Sequence, residues 1–208
     1  MSLKSIFSRV LVAATIGVAA FMAPAASAQS ANHVVLDPAQ PSDSAGKTEI
    51  LEFFAYSCPH CAAIDPMIDK WEKTLPADTV LKRVPVAFNA SMADLQKLYY
   101  SLESLGRLDL HSEIFKAIHQ EHKRIYDEKA ITDWVAEHGV DKAKFKSVFN
   151  SFGVQTKIAR ANELTEAYKV EGTPSISVGG KYLVSPSMTG SYQGAIDEAQ
   201  RLLESLEK

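Results

Sequence analysis

The sequence contains very few cysteines: Cys58 and Cys61 are the only two among 208 residues. Small exported domains that depend on disulfides carry more cysteines than this, so the chain is not a disulfide scaffold. A structural zinc site needs four ligands, and no second cysteine pair is present to supply them. We therefore expect stability to come from an ordinary hydrophobic core and the cysteines to serve chemistry.

Long apolar runs are also scarce. The run at residues 10–22 is shorter than the roughly 20 residues that a transmembrane helix needs. It follows Lys4 and Arg9 and precedes the small residues at 26–28, an arrangement typical of a secretory signal peptide. The sequence therefore predicts a signal peptide at residues 1–28, followed by a soluble mature chain. Export would place the cysteines in a compartment where disulfides persist.

Charge of one sign is not concentrated anywhere in the chain. Lysine and arginine number 22 against 25 acidic residues, which gives a formal net charge of -3. Proteins that bind nucleic acid present clustered positive charge, and no such cluster is visible here. A nucleic-acid partner is therefore not expected.

The sequence Cys58-Pro59-His60-Cys61 lies between a strand pattern and a helix pattern. Residues 48–56 are almost continuously apolar and rich in aromatic side chains, which predicts a buried central strand. After the motif, apolar residues recur at the i, i+3, i+4, i+7 spacing of one helix face. These residues are Ile64, Met67, Ile68 and Trp71. We predict that the cysteine pair lies where a strand ends and a helix begins.

This position favours a thiolate on Cys58. The N-terminus of a helix stabilises negative charge through free N–H groups and the helix dipole, and Pro59 suits the first helical position. His60 adds a hydrogen-bond donor, cationic when protonated, within reach of the sulfur. Cys61, one turn into the helix, is the expected resolving thiol. Because a stabilised thiolate favours the reduced form, the disulfide should oxidise its partner.

The remaining patterns predict an α/β fold that is interrupted by helices. A second strand is predicted at residues 80–88, and residues 89–168 show only helical periodicity. Two short apolar strands then flank Gly179-Gly180, as in a β-hairpin, and an amphipathic helix follows. The predicted domains are a first sheet-containing part at 29–88, an inserted helical domain at 89–168 and a second sheet-containing part at 169–208.

These features together resemble the DsbA family of bacterial thiol:disulfide interchange proteins. The motifs that carry the resemblance are Leu51-Glu52-Phe53-Phe54, Cys58-Pro59-His60-Cys61, Thr173-Pro174 and Gly180-Lys181-Tyr182. The resemblance implies a thioredoxin-like fold with an inserted all-helical domain and a periplasmic enzyme that donates disulfides to unfolded or folding exported proteins. It also implies reoxidation by an inner-membrane partner similar to DsbB. No cofactor or metal is expected, and the protein is expected to be a monomer.

The same resemblance implies roles for three residues outside the cysteine motif. Pro174 matches the family's cis-proline, which lies beside the cysteine pair and helps hold the substrate backbone. Thr173 precedes it, where the best-known member has valine, and this position influences how readily mixed disulfides resolve. Glu52 matches a buried acid that assists proton transfer to and from the resolving cysteine. From the residues alone, Glu52 either points outward, stays protonated or serves a purpose.

Other functions remain open from the sequence. A disulfide isomerase or reductase would use the same thiol chemistry. A metal-binding module would use Cys58, His60 and Cys61 as ligands, and a chaperone would hold peptides beside an inert disulfide. His119 and His122 are a further candidate ligand pair, although a solvated helix end is the simpler explanation of their spacing.

Overall fold

The computed structural model describes residues 32–206, and the predicted signal peptide at 1–28 lies outside them. The strands are β1 (Val34–Val35), β2 (Thr48–Phe54), β3 (Thr79–Pro85), β4 (Ser175–Val178) and β5 (Tyr182–Val184). The α-helices are α1 (Pro59–Glu72), α2 (Ala93–Leu105), α3 (His111–His119), α4 (Glu128–Glu137), α5 (Lys142–Phe149), α6 (Phe152–Ala167), α7 (Pro186–Thr189) and α8 (Tyr192–Leu206). Short 3-10 helices occupy Ala90–Met92 and Leu108–Leu110. Within residues 32–206, no helix combines the length and apolarity that crossing a membrane requires.

The strands of the described chain form one mixed sheet in the order β1-β5-β4-β2-β3. Strand β2 pairs in parallel with β3 and antiparallel with β4, and α1 provides the crossover that a parallel pair requires. Pro85 is accommodated at the end of β3, an edge strand, where proline is tolerated. Val86 makes one more backbone hydrogen bond, to Phe54, and the chain then leaves the sheet. The strand predicted at residues 80–88 therefore ends at Pro85.

Strand β2 is buried by two separate groups of helices. Ile50 belongs to one apolar cluster with Ile64 and Ile68 of α1 and with side chains of α8. Phe53 and Phe54 belong to a second cluster that includes the helices between β3 and β4. A strand covered in this way has to be almost continuously apolar, which explains its sequence. The end of β2 therefore packs into the second cluster, to which Tyr56 and Cys61 also belong.

Helices α2 to α6 lie between β3 and β4 along the chain, as the helical periodicity predicts. Several of their boundaries follow local capping signals. The side chains of Asp127, Asp141 and Ser151 accept backbone hydrogen bonds at the starts of α4, α5 and α6. Gly106 takes a left-handed conformation, with φ of 67°, directly after α2. The domain limits at residues 89 and 168 stay a prediction.

Candidate active site

The cysteine motif spans the junction between the turn after β2 and the first turn of α1. Cys58 is the N-cap residue, with an extended backbone (φ −90°, ψ 116°), and Pro59 is the first residue of the helix. The Cys58 carbonyl accepts hydrogen bonds from the backbone N–H groups of Cys61 (3.1 Å) and Ala62 (3.2 Å). The predicted location of Cys58 at a helix N-terminus is confirmed.

The two thiols differ in their access to solvent. Both cysteines are free in this structure; Cys58 is partly buried, whereas Cys61 is 0% exposed. A reagent or a substrate thiol can therefore reach the Cys58 sulfur more readily than the Cys61 sulfur. This difference agrees with the predicted order, in which Cys58 reacts with the substrate and Cys61 resolves.

The surroundings of the Cys58 sulfur lower the pKa of its thiol to about 5. The hydrogen bond from the Cys61 thiol lowers this pKa most, and partial burial of the sulfur opposes it. Further lowering comes from the backbone N–H groups of Cys61 and His60 and from the Thr173 side chain. Burial raises the pKa of Cys61 far above its usual range, and the bond to Cys58 acts in the same direction. An acidic, accessible thiol thus lies beside a buried, protonated one.

The imidazole of His60 has a partner other than the sulfur. The side chain is exposed, and its Nδ1 lies 2.7 Å from the hydroxyl of Tyr192, in the first turn of α8. The contribution of His60 to the lowered pKa of Cys58 comes from its backbone N–H. Tyr192 could not be found from the sequence, since it lies 132 positions along the chain from His60. A direct action of the imidazole on the sulfur stays a prediction.

The Thr173-Pro174 segment lies directly beside the cysteine pair. Its peptide bond is cis, as the resemblance implies. The Cys58 thiol donates a hydrogen bond of 3.3 Å to the Thr173 carbonyl oxygen. Ser175, the first residue of β4, ties the segment back through a 2.8 Å hydrogen bond from its hydroxyl to the Gly172 carbonyl. The predicted substrate-binding residues are therefore next to the reactive sulfur.

A groove of about 890 Å³ begins at these same residues. Thr173, Pro174 and His60 line it together with residues of β1, β5 and the region of α7. Apolar side chains in the lining include Val34, Leu36, Leu183, Pro186 and Met188. A concave, largely apolar surface of this size next to a reactive sulfur can hold a segment of unfolded polypeptide.

Glu52 points into the protein and not toward solvent. Its residue is 1% exposed, which excludes the outward-facing alternative. Burial raises the pKa of its carboxyl group to about 8, against the opposing effect of Arg83, whose Nε lies 3.2 Å from Glu52 Oε2. The same guanidinium binds Asp69 (2.6 Å) and Glu72 (3.0 Å) of α1. A protonated Glu52 is therefore favoured at neutral pH, and its action on Cys61 stays a prediction.

Residues of α1 and α3 whose position beside the motif no sequence pattern predicts also contact it or its flanking turn. Tyr56 in the turn before Cys58 contacts His111 and His119 of α3, and Asp65 of α1 contacts His111. His119 donates from Nε2 to the Tyr56 carbonyl at 2.8 Å, so it does not belong to a solvated helix end. Within residues 32–206, no group of three or more His, Cys, Asp or Glu residues is arranged to hold a metal ion. No spacing in the sequence indicates these contacts, because α1 and α3 are far apart along the chain.

The sheet topology, the helical insertion and the pair of unequal thiols at a helix N-terminus define a thiol:disulfide oxidoreductase of the thioredoxin-like class. Residues 78–191 match the family model described as the DSBA-like thioredoxin domain. The chain is 53% identical over 199 residues to the thiol:disulfide interchange protein DsbA of Bordetella pertussis, covering 95% of each chain. The chain belongs to the DsbA family.

Further relatives agree on both the sequence and the fold. The Pseudomonas aeruginosa thiol:disulfide interchange protein DsbA is 37% identical over 173 residues, covering 83% of this chain and 82% of its own. A crystal structure of Pseudomonas aeruginosa DsbA superposes with a TM-score of 0.81 at 36% identity, covering 85% of this chain and 92% of that one. The predicted α/β fold, thioredoxin-like with an inserted helical domain, is confirmed. The predicted enzyme class, a protein disulfide oxidoreductase, is confirmed as well.

Proposed function

We propose that the protein is a dithiol oxidase that donates a Cys58-Cys61 disulfide to newly exported proteins in the periplasm. The observation that carries this proposal is the environment of the two sulfurs. The Cys58 sulfur is accessible and surrounded by hydrogen-bond donors, whereas the Cys61 sulfur is buried and retains its proton. Stabilising one thiolate stabilises the reduced form, so the disulfide form gives up its oxidising equivalents readily.

The transfer takes place in two exchanges. A substrate thiolate attacks the Cys58 sulfur, the Cys58-Cys61 bond breaks, and Cys61 leaves and takes up a proton. The second substrate thiolate then attacks the substrate sulfur of the mixed disulfide and releases Cys58 as a thiolate. The substrate loses two electrons and the enzyme gains them. The low pKa of Cys58 makes it a good leaving group in the second exchange.

Glu52 is the proposed proton carrier for Cys61. A carboxyl group with a pKa of about 8 exists in both protonation states near neutral pH, as a proton shuttle requires. Arg83 connects this buried acid to Asp69 and Glu72, which are partly exposed on α1. The Arg83 guanidinium keeps its own proton and therefore acts on Glu52 through its charge, which opposes the effect of burial on the Glu52 pKa.

The groove beside Thr173-Pro174 is the proposed binding site for unfolded or folding substrates. An extended chain lying against the Thr173-Pro174 segment would bring its cysteine to the Cys58 sulfur, since the Thr173 carbonyl lies 3.3 Å away. The apolar lining fits the side chains that an unfolded protein exposes. The chemistry needs no cofactor, and a monomer contains the whole site.

The predicted signal peptide and the family together support the proposed location and the recycling partner. Residues 1–28 would direct export to the periplasm. An inner-membrane partner similar to DsbB would then reoxidise Cys58 and Cys61, because each donated disulfide leaves the enzyme reduced.

Three measurements test the proposed oxidase. The alkylation rate of Cys58 should follow an acidic transition near pH 5, and an equilibrium with glutathione should favour the reduced enzyme. Cys61→Ser should accumulate mixed disulfides with exported proteins, whereas Cys58→Ser should form none. A Cys58 that titrates near 8.5, as an ordinary thiol does, would contradict the proposal.

A disulfide isomerase is the second candidate, because the Thr173 side chain lowers the pKa of Cys58. A donor at this position changes how long a mixed disulfide survives, which matters for rearranging wrong disulfides. Recovery of a scrambled substrate by the reduced enzyme, with no oxidant added, would favour the isomerase. Oxidation of a reduced substrate without recovery of the scrambled one would favour the oxidase.

A further inference from the structure

One face of α3 is directed at the turn that precedes Cys58. His111, Phe115 and His119 are spaced i, i+4, i+8 and therefore form one stripe along the helix. All three contact Tyr56, which lies between the end of β2 and Cys58. A helix from the insertion thus holds a residue of the active-site turn.

Tyr56 is held at its side chain and at its backbone. The residue is 1% exposed, and its hydroxyl lies 2.7 Å from His111 Nδ1. Its carbonyl accepts a 2.8 Å hydrogen bond from His119 Nε2; a carbonyl cannot donate, so this ring nitrogen carries a proton. The Phe115 ring meets the Tyr56 ring edge to face, with centroids 5.1 Å apart. The hydroxyl, the ring and the carbonyl of one residue are therefore all fixed by one helix.

The same face of α3 also reaches the helix that begins between the two cysteines. His111 Nε2 lies 3.2 Å from Asp65 Oδ1 on α1, and the Ser112 hydroxyl donates a 2.7 Å hydrogen bond to Asp65 Oδ2. Asp65 is 2% exposed. Burial opposes its ionisation, but the nearby His111 ring and the hydrogen bond from Ser112 outweigh burial and lower the pKa of Asp65. Helix α3 therefore holds the redox motif on both sides, through Tyr56 before Cys58 and through Asp65 after Cys61.

We propose that α3 is a positioning element of the active site, in which His119 and His111 hold Tyr56 so that the Cys58 sulfur stays among its hydrogen-bond donors. Hydrogen bonds weaken steeply when the distance lengthens or the angle bends. A turn released from α3 would move the sulfur away from the Cys61 thiol and from the N–H groups of α1. The inference rests on the proposed role of Cys58 as the acidic, reacting thiol.

If Tyr56 and His111 only filled space in the core, they would not need their polar groups. Phenylalanine at position 56 and an apolar residue at position 111 would fill the same volume without the cost of burying polar groups. The retained polar groups instead specify direction, because a hydrogen bond fixes the angle of the Tyr56 carbonyl and hydroxyl as well as their distance. The Cys58 sulfur can accept hydrogen bonds from several donors at once only if the preceding turn holds it at fixed angles as well as fixed distances.

Three variants and one control test the inference. His119→Ala removes the donor to the Tyr56 carbonyl, and Tyr56→Phe removes the hydroxyl that contacts His111 but keeps the ring. Both should raise the pKa of Cys58 and lower the equilibrium constant for oxidation of glutathione severalfold, since each pKa unit corresponds to about tenfold. His119→Gln keeps an N–H donor and should restore most of both values.

Ser101→Ala is the matched control. It removes a buried hydroxyl that bonds the Lys97 carbonyl in α2, away from the motif, so it should lower the melting temperature and leave the Cys58 pKa unchanged. The inference is overturned if His119→Ala and Tyr56→Phe lower the melting temperature but leave the Cys58 pKa at the wild-type value. It is also overturned if His119→Gln changes that pKa as much as His119→Ala. An ordinary thiol pKa in the wild-type protein would instead overturn the proposed oxidase.

Discussion

The Cys58 sulfur lies 3.3 Å from the carbonyl oxygen of Thr173, a residue 115 positions further along the chain. The antiparallel pairing of β2 with β4 makes this approach possible, because it sets Phe53 opposite Ser175. The two polar groups of Thr173 act in opposite directions. Its carbonyl accepts a hydrogen bond from the protonated thiol, whereas its side chain lowers the pKa of Cys58. Thr173 therefore influences the strength of the oxidant from both sides.

Thr173→Val should raise the pKa of Cys58 and make the disulfide a weaker oxidant. The substitution removes the hydroxyl that favours the thiolate and keeps both the backbone carbonyl and the shape of the side chain. Thiolate absorbance as a function of pH measures the first effect, and the equilibrium with glutathione measures the second. Thr132→Val removes a buried hydroxyl bond in α4 and should change neither value. A lower Cys58 pKa in Thr173→Val would contradict this reading of the hydroxyl.

Cys61→Ala should raise the Cys58 pKa more than Cys61→Ser does. The hydrogen bond from Cys61 lowers this pKa more than any other contribution. A serine hydroxyl can still donate to the thiolate, whereas an alanine methyl group cannot. Alkylation rates across a pH series compare the two variants directly, since Cys58 is then the only thiol. Equal Cys58 pKa values in the two variants would show that the Cys61 thiol is not the main donor.

The wild-type protein should become less stable as the pH rises, and the Glu52→Gln variant should not show this decrease. Burial raises the pKa of Glu52 from 4.5 to about 8, so between these values the folded state binds more protons than the unfolded state. The stability contributed by the protonated carboxyl group is fully present below pH 4.5 and is lost as the pH rises through 8. The difference in unfolding free energy between wild type and variant should change by about a few kcal/mol across this pH range, which is the order of magnitude that proton linkage predicts.

Denaturant unfolding of the reduced proteins at a series of pH values measures this difference. Glu204→Gln, in which an exposed carboxylate is neutralised on α8, should show no comparable change between pH 5 and 8. A parallel stability profile for wild type and Glu52→Gln would mean that Glu52 is already ionised in the folded protein.

Gly180→Ala should destabilise the fold by about 2 kcal/mol or more, with little effect on the Cys58 pKa. Gly180 has φ of 69°, and an added Cβ would overlap the backbone carbonyl of Gln40. Gly139 has a similar φ of 80° but open space around it, so Gly139→Ala reports the cost of the conformation alone, about 1 kcal/mol. Urea unfolding compares the two. Equal losses would show that the segment at Gln40 moves away without cost.

The elements of the fold were predictable because each depends on neighbours in the sequence. The continuous apolar run of β2, the helical spacing after Cys61 and the caps at Asp141 and Gly106 are local patterns. The location of Cys58 at a helix N-terminus follows from two adjacent patterns and was equally accessible. The end of β3 at Pro85 was harder to predict from the sequence, because it depends on which strand lies at the edge of the sheet.

Local sequence patterns are enough to predict that two cysteines separated by Pro59 and His60 begin a helix, and hence that the Cys58 thiol is more acidic than the Cys61 thiol. Which side chains surround the two thiols depends on how distant parts of the chain fold together. The Tyr192 hydroxyl contacts the imidazole of His60, and the Thr173 carbonyl lies beside the Cys58 sulfur. Helix α3 contacts the turn before the motif at Tyr56. A thiol pKa depends on groups within a few ångströms. The donors from Cys61 and His60 are local and follow from the motif, whereas Thr173 comes from a distant part of the chain that only folding brings to the sulfur.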